Sequence, residues 1–522
     1  LSSALAPLQA QTVTTVMNNG PSDNRIDLIF IGDGYTSTQI ETVYQDHVVA
    51  ELDYLFSGAF RNPFPRYESF FNAHRVNVVS NESGADQPPN NIFRDTALDA
   101  SYWWGGSVER CLYFDTGKAN AAVNIALSGT GIDSDARLGV VNDSKYGGCG
   151  GSWAVYAGGN SSATDIGVHE LGHSLGSLAD EYFSNGAFYS GPEPNSVNLT
   201  TNPNLGKWDR WVGYNDPDTN VGPIGYYEGG GYNEFGLFRP SNNSEMRSLF
   251  RPFDAVSREQ FITKFYEEVD PLDDWFDDST THVDPGSLWV DTVDPALINV
   301  EWFVDGVSQG LLGETLDVSS LALGGGNYLL EARAYDSILD HSFTGDSLDW
   351  YRKADTSPLE QTISWNVTIT PSVSGDFNGD SVYTCEDVDA LVVEIVGQTN
   401  AGSFDLTGDG AVDGDDLSAW LAEAGAANLA SGNAYLLGDA DLNGTVNGAD
   451  FLIWNQNKFS SAPAWCHGDF NANGTVDGAD FVIWNQFKFQ TADGAVAAVP
   501  EPQSLWLGIA AVFCVVCVRR RF

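Results

Sequence analysis

The run His169-Glu170-Leu171-Gly172-His173 commits the residues around it to one kind of structure. On a helix, positions four apart share a face, so His169 and His173 offer two imidazoles to one metal ion. Glu170 then lies beside that ion, where a carboxylate takes the proton of a water the metal has acidified. Val168, Leu171, Leu175 and Leu178 recur at helical spacing and give the helix an apolar back. Asp165 is placed as its N-cap.

Gly176 follows His173 by three residues, and the chain continues Leu178-Ala179-Asp180-Glu181-Tyr182. In an unbroken helix Asp180 would share the histidine face but lie about 10 Å beyond His173, at ~1.5 Å per residue, too far to reach the same ion. A break near Gly176 is therefore required. Asp180 is the favoured third ligand and Glu181 the alternative. Glu170 is assigned as general base, and Tyr182, with Arg247 as a second candidate, as donor to the oxyanion.

His169 to Tyr182 resembles the signature of the IgA-peptidase-like zinc metallopeptidases, secreted bacterial enzymes of the HExxH group. Ile26 to Tyr35 resembles that family's opening strand and turn, and Phe70-Phe71-Asn72 with Arg75 to Gly84 its second block. Tyr146-Gly147-Gly148 is similar to the glycine-rich segment before the metal helix, and Met246-Arg247 to a methionine turn beneath the metal. Relatives carry cysteines near that methionine, where this chain has Ser244 and Phe253. The resemblance covers roughly residues 22 to 270. It implies a zincin-like α/β (α+β) catalytic domain over 20–270, a Zn2+ cofactor, and hydrolysis of peptide bonds in a protein or peptide substrate.

At 522 residues the chain is multidomain. Its formal charge of -47 repels nucleic acid and anionic lipid, which excludes nucleic acid as a partner. Leu1 opens the chain without a basic segment or a long apolar run, which does not count against export. Cys111 and Cys149 both fall in the catalytic region as a candidate pair; Cys385 and Cys466 stand apart from other cysteines.

Residues 271–372 read as an Ig-like β-sandwich. Val300 to Val304 alternates and runs into the turn Asp305-Gly306, and Tyr328 to Asp336 and Gln361 to Ile369 are further strands.

Beyond Gly375 one pattern recurs four times. Asp376, Asn378, Asp380 and Asp387 take positions 1, 3, 5 and 12 of a twelve-residue calcium loop. Asp405, Thr407, Asp409, Asp413 and Asp416 repeat it, as do Asp439, Asp441, Asn443, Asn447 and Asp450, and then Asp469, Asn471, Asn473, Asp477 and Asp480. The carbonyls of Val382, Ala411, Thr445 and Thr475 fall at position 7, and an apolar helical stretch follows each loop. Paired loops, each with a single helix, resemble dockerin modules, at 373–432 and 437–492. The resemblance implies Ca2+-dependent folding and a cohesin-like scaffold partner.

Val499-Pro500-Glu501-Pro502 precedes an apolar run from Leu505 to Val518 and then Arg519-Arg520-Arg521. The run is shorter than the about 20 residues a membrane span needs. Residues 498–522 resemble a PEP-CTERM sorting signal, which implies export, sorting machinery at the membrane, and a secreted or cell-surface protein.

The leading expectation is a secreted zinc metalloendopeptidase carrying calcium-binding docking modules. Its rivals are a calcium-dependent surface or scaffold protein with an inactive peptidase domain, and a zinc hydrolase acting on cell-wall peptides or glycoconjugates.

Overall fold

The structure is a computed structural model, and it describes residues 11–493 apart from 205, 218–220, 341–348, 371–373 and 462. The segment 498–522 lies outside the described residues. The chain divides into two compact units, one of residues up to Ala322 with Asn327–Thr368, the other of Leu323–Gly326 with Ile369 onward.

The first unit is built on a six-stranded sheet. Its strands are β1 (Thr12–Met17), β2 (Ile26–Asp33), β3 (Phe71–Asn77), β4 (Ala136–Val141), β5 (Gly148–Cys149) and β6 (Ala154–Ala157), in the order β1-β3-β2-β4-β6-β5. The four central strands are parallel, while β1 and β5 run antiparallel to their neighbours at the two edges. All eight residues of β2 are buried, as a parallel strand covered on both faces requires. On one face Ile29, Ile31 and Val76 share a core with Ala119, Ala122 and Val123 of helix α2 (Thr116–Leu127). Two further helices, α1 (Gln45–Leu55) and α3 (Ala163–Ser174), pack together, and α3 contacts β4, β5 and β6.

After α3 come three strands, β7 (Phe183–Phe188), β8 (Tyr227–Gly230) and β9 (Tyr232–Arg239), ordered β7-β9-β8. Helix α4 (Ala255–Phe265) closes this part, with Phe253, Phe261 and Phe265 packed around Phe64.

The rest of the unit is β-rich. Strands β10 (Leu272–Trp275), β12 (Ser287–Thr292) and β15 (Thr315–Asp317) form a three-stranded sheet. Strands β11 (His282–Val283), β17 (Glu360–Ile369), β16 (Gly326–Asp336), β13 (Ile298–Val304) and β14 (Val307–Leu312) form a five-stranded one. Burial alternates strictly along β12 and β13, so each sheet has one core face. Asp305 and Gly306, both at positive φ, make the tight β13–β14 turn. Asp336, fully buried, fastens this region to the part built on the six-stranded sheet and α4: it accepts hydrogen bonds from Arg66 (3.1 Å), Tyr67 (2.5 Å) and Tyr266 (2.8 Å).

The second unit holds helices α5 (Cys385–Gly397), α6 (Gly414–Asn428), α7 (Gly448–Asn457) and α8 (Gly478–Phe487), each preceded by one acidic loop. The loop's twelfth residue is the third residue of its helix and completes a capping box in all four. Both halves of the tail feed one core, in which Val388, Leu391 and Trp420 join Tyr435, Trp465 and Phe470. A disulfide joins Cys385 to Cys466.

Candidate metal centre and cleft

Helix α3 starts earlier than the sequence suggests. Ser162 is its N-cap residue, and Asp165 sits buried in the first turn, accepting from Tyr54 Oη (2.6 Å) and the Phe250 amide and pairing with Arg61 (3.3 Å). The placement of Asp165 as N-cap is corrected: a helix that packs on α1 and the sheet begins where the chain reaches them, and a buried carboxylate there finds side-chain donors.

The break after His173 lies where the ligand argument requires it. The helix ends at Ser174, and Ser177, at φ 53°, makes the left-handed turn. Gly176 serves close approach instead: a Cβ there would stand 2.8 Å from the Gly172 carbonyl oxygen and 2.9 Å from Phe261. The returning chain brings Asp180 Oδ1 to 3.1 Å from His169 Nε2 and 3.3 Å from His173 Nε2. One ligand atom from each of these three residues lies within 4.8 Å of the others.

Glu181 turns the other way. Its buried carboxylate accepts from Asn198 Nδ2 (3.0 Å) and Ser244 Oγ (2.6 Å), and burial together with the neighbouring Asp254 carboxyl raises its pKa. It thus anchors the segment that Asp180 projects from.

Each imidazole is oriented by its far nitrogen. His169 Nδ1 donates to the Glu245 carbonyl at 3.0 Å and His173 Nδ1 to the Leu178 carbonyl at 2.8 Å, which turns both Nε2 atoms toward Asp180, to donate to its carboxylate when protonated or to offer a lone pair to a cation when not. Burial pulls the His169 pKa down, but Asp180 and Glu170 outweigh it and carry it up to about 9. Asp180 moves the opposite way: burial is overcome by its hydrogen bonds to both histidines and Tyr232, which hold it far below the carboxylate range. What suits a cation is the geometry: three side chains each present one ligand atom to a common point, and both imidazoles are held by their far nitrogens. Met246, fully buried, packs against Gly172 beneath the helix, and the Glu181 amide donates to its carbonyl at 2.8 Å.

Glu170 keeps its carboxylate toward the cleft. Burial raises its pKa, and the neighbouring histidines oppose the rise. Edge strand β5 and Gly150 after it run alongside: a Cβ on Gly150 would fall 2.6 Å from Glu170 Oε2 and 3.2 Å from His173 Cβ, so glycine suits this close passage of the backbone. The disulfide Cys111–Cys149 ties that strand to the segment bearing Arg110. A cavity of about 360 Å³ opens beside Glu170, lined also by Arg110, Tyr146, Ile166, Tyr182 and Arg247.

Tyr182 belongs to a relay. Arg110 Nη2 donates to Tyr182 Oη (2.8 Å), Tyr182 donates to Tyr232 Oη (3.3 Å), and Tyr232 donates to Asp180 Oδ2. The parallel pairing of β7 with β9 sets Phe183 opposite Tyr232 and so brings the two phenols together. Arg247 donates to the Asn242 carbonyl and lines the cavity. Tyr232, Arg110 and Asn198, whose side chain clamps both the amide and the carbonyl of Ala179 (2.9 and 2.8 Å), carry no local motif. Only the long-range fold brings them here.

In the tail, Asp439, Asp441 and Asp450 bring three carboxylates together. The loops share one closure. The first acid (Asp376, Asp405, Asp439, Asp469) accepts backbone amides from within its loop, such as Ser381 N on Asp376 and Gly410 N on Asp405. The twelfth acid (Asp387, Asp416, Asp450, Asp480), buried in each case, accepts amides near the loop start and the N-cap amide. At position 5, Asp380, Asp409, Asn443 and Asn473 each accept the amide two residues on. Position-9 residues Asp413, Asn447 and Asp477 cap their helices. At position 3, Asn378 donates to Asp380, Thr407 donates to Asp405, Asn471 accepts from the Asn473 amide, and Asp441 joins the three-acid cluster.

An α/β sheet followed by a helix that presents two imidazoles and a glutamate to a cleft, with a carboxylate returning from behind, defines a metallopeptidase class of site. Comparison agrees: the family model described as IgA Peptidase M64 matches residues 14–221, which supports the IgA-peptidase-like metallopeptidase family and indicates a metallopeptidase. The matched stretch includes His169 to Tyr182 and ends before Tyr232 and Met246. No curated protein matches the chain.

Proposed function

We propose that this protein is a zinc-dependent endopeptidase, with His169, His173 and Asp180 holding the metal. The observation that carries the reading is the convergence of both Nε2 atoms on Asp180 Oδ1 while both Nδ1 atoms are engaged by carbonyls. Two imidazoles with one carboxylate form a donor set suited to zinc with an open position. Bound there, zinc would supply a Lewis acid that acidifies a water and polarises the scissile carbonyl.

Glu170 takes the proton of the attacking water and returns it to the leaving amine nitrogen. Its raised pKa brings it closer to working pH, where a carboxylate both accepts and releases a proton. Burial and Asp180 raise the pKa of Tyr182, which keeps the phenol protonated; by turning its one hydrogen from Tyr232 to the oxyanion it becomes the donor there, with Arg110 behind it. Edge strand β5 offers backbone groups along which an extended peptide adds as a further strand.

The tail is proposed to load Ca2+ at its four loops and to dock a cohesin-like partner, and the protein to be secreted or displayed at the cell surface through its sorting segment. What supports the calcium reading is the common closure of the loops and the three-carboxylate cluster.

The test is metal content by mass spectrometry with a casein-cleavage assay, wild type beside His173→Ala. Near-stoichiometric zinc and cleavage, both lost in the variant, are expected; a wild type that takes up no zinc overturns the reading in favour of a scaffold.

A further inference from the structure

We propose that the cavity beside Glu170 is a carboxylate subsite, in which Arg110 and Arg247 select an acidic residue on the leaving side of the cleaved bond. This rests on the peptidase reading. Glu170 hands its proton to the leaving amine, so the half of the peptide that departs as the amine lies on Glu170's side. Ile166 is four residues before Glu170 on α3 and shares its face, so the cavity extends from Glu170 away from His173. The side chain following the scissile bond therefore points into it.

The lining favours an anion. Glu170 is the one carboxylate among the described residues that line the cavity, against two guanidinium groups and the hydroxyl of Ser248. This chain has 71 acidic residues to 24 lysines and arginines, and Arg25, Arg61, Arg66, Arg75, Arg210, Arg258, Arg333 and Arg352 each form an ion pair. Among the described residues, Arg110 and Arg247 form none; Arg94, Arg137, Arg239 and Arg251 form none either, but of these six only Arg110 and Arg247 line the cavity. Arg110 donates to a neutral phenol and Arg247 to a backbone carbonyl, which leaves each with a full positive charge to offer. Ile166 and Leu249 supply apolar wall for a methylene stem, so the fit is to glutamate or aspartate. Fork-shaped guanidinium donors match a carboxylate's two oxygens.

The test uses the zinc-loaded full chain and end-blocked peptides that differ only in the residue after the scissile bond: Glu, Gln, Leu or Lys. A further peptide places Ala there with a free terminal carboxylate. Both kcat/KM and binding to the metal-stripped chain are read. Glu is expected to exceed Gln by about 10- to 100-fold in both, as charge-assisted hydrogen bonds predict. Arg247→Ala collapses the ratio, Arg247→Lys restores part of it, and Arg247→Glu turns the preference toward Lys. If the free-terminus peptide equals the Glu peptide, the subsite reads a carboxylate of either origin; if it falls to the Gln level, the subsite reads the side chain. A Glu-to-Gln ratio near one, or one that Arg247→Ala and Arg247→Glu leave unchanged, overturns the proposal. Cleavage of none of the peptides would overturn the peptidase reading, while the binding ratio would still decide the subsite.

Discussion

At the scale of single residues, the site separates groups that act from groups that hold. Glu170→Gln keeps shape and both imidazoles, so zinc content is expected to stay while casein cleavage falls by about 10²- to 10⁴-fold, the usual worth of a positioned base. Full residual activity would remove Glu170 from the mechanism. Glu245 is a holder, its carbonyl accepting from His169. Its side chain is buried near Asp165, and burial followed by that neighbour pushes its pKa up to about 8, against the pull of Arg61. The folded state thus keeps this proton where the unfolded chain releases it, and stability falls as pH rises from about 4.5 to about 8. Glu245→Gln should flatten part of that slope in melting temperature measured from pH 5 to 8; an unchanged slope would mean the carboxyl ionises freely. Sequence disclosed His169, Glu170 and His173 because helical spacing is a local matter. Asn198, Tyr232 and the Glu245 carbonyl stayed invisible, since each reaches the site through tertiary pairing and a backbone carbonyl has no letter of its own.

At the scale of elements, the break after α3 decides whether Asp180 arrives. The ligand distance argument located it near Gly176, but not the division of labour in which Ser177 takes the left-handed turn and Gly176 admits Phe261. Gly176→Ala should therefore cost about 1–3 kcal/mol through overpacking against backbone and ring. Zinc affinity should drop with it if the turn shifts; a variant with wild-type melting and metal content would show that the contact relaxes freely. The Asp305-Gly306 turn was legible for the converse reason, because its positive φ values are written in its own two residues.

At the scale of the whole molecule, two compact units carry the two kinds of proposed ion site. Chelation with a calcium-selective agent should expose residues 376–490 to limited proteolysis while casein cleavage continues; protection that ignores the chelator would mean the loops close without an ion. The repeat period reveals loops and helices but not which helices share a core. Pairing Cys385 with Cys466, 81 residues apart, is such a long-range fact. It also has a mechanical consequence. The chain between those cysteines is closed into a loop, so a pulling force on the tail bypasses most of it. At about 3.5 Å per residue, roughly 280 Å of slack is withheld from extension while the bond is intact. In force spectroscopy, reduction should lengthen the tail's final contour by that amount, so that the oxidised protein is a short leash and the reduced one a long one.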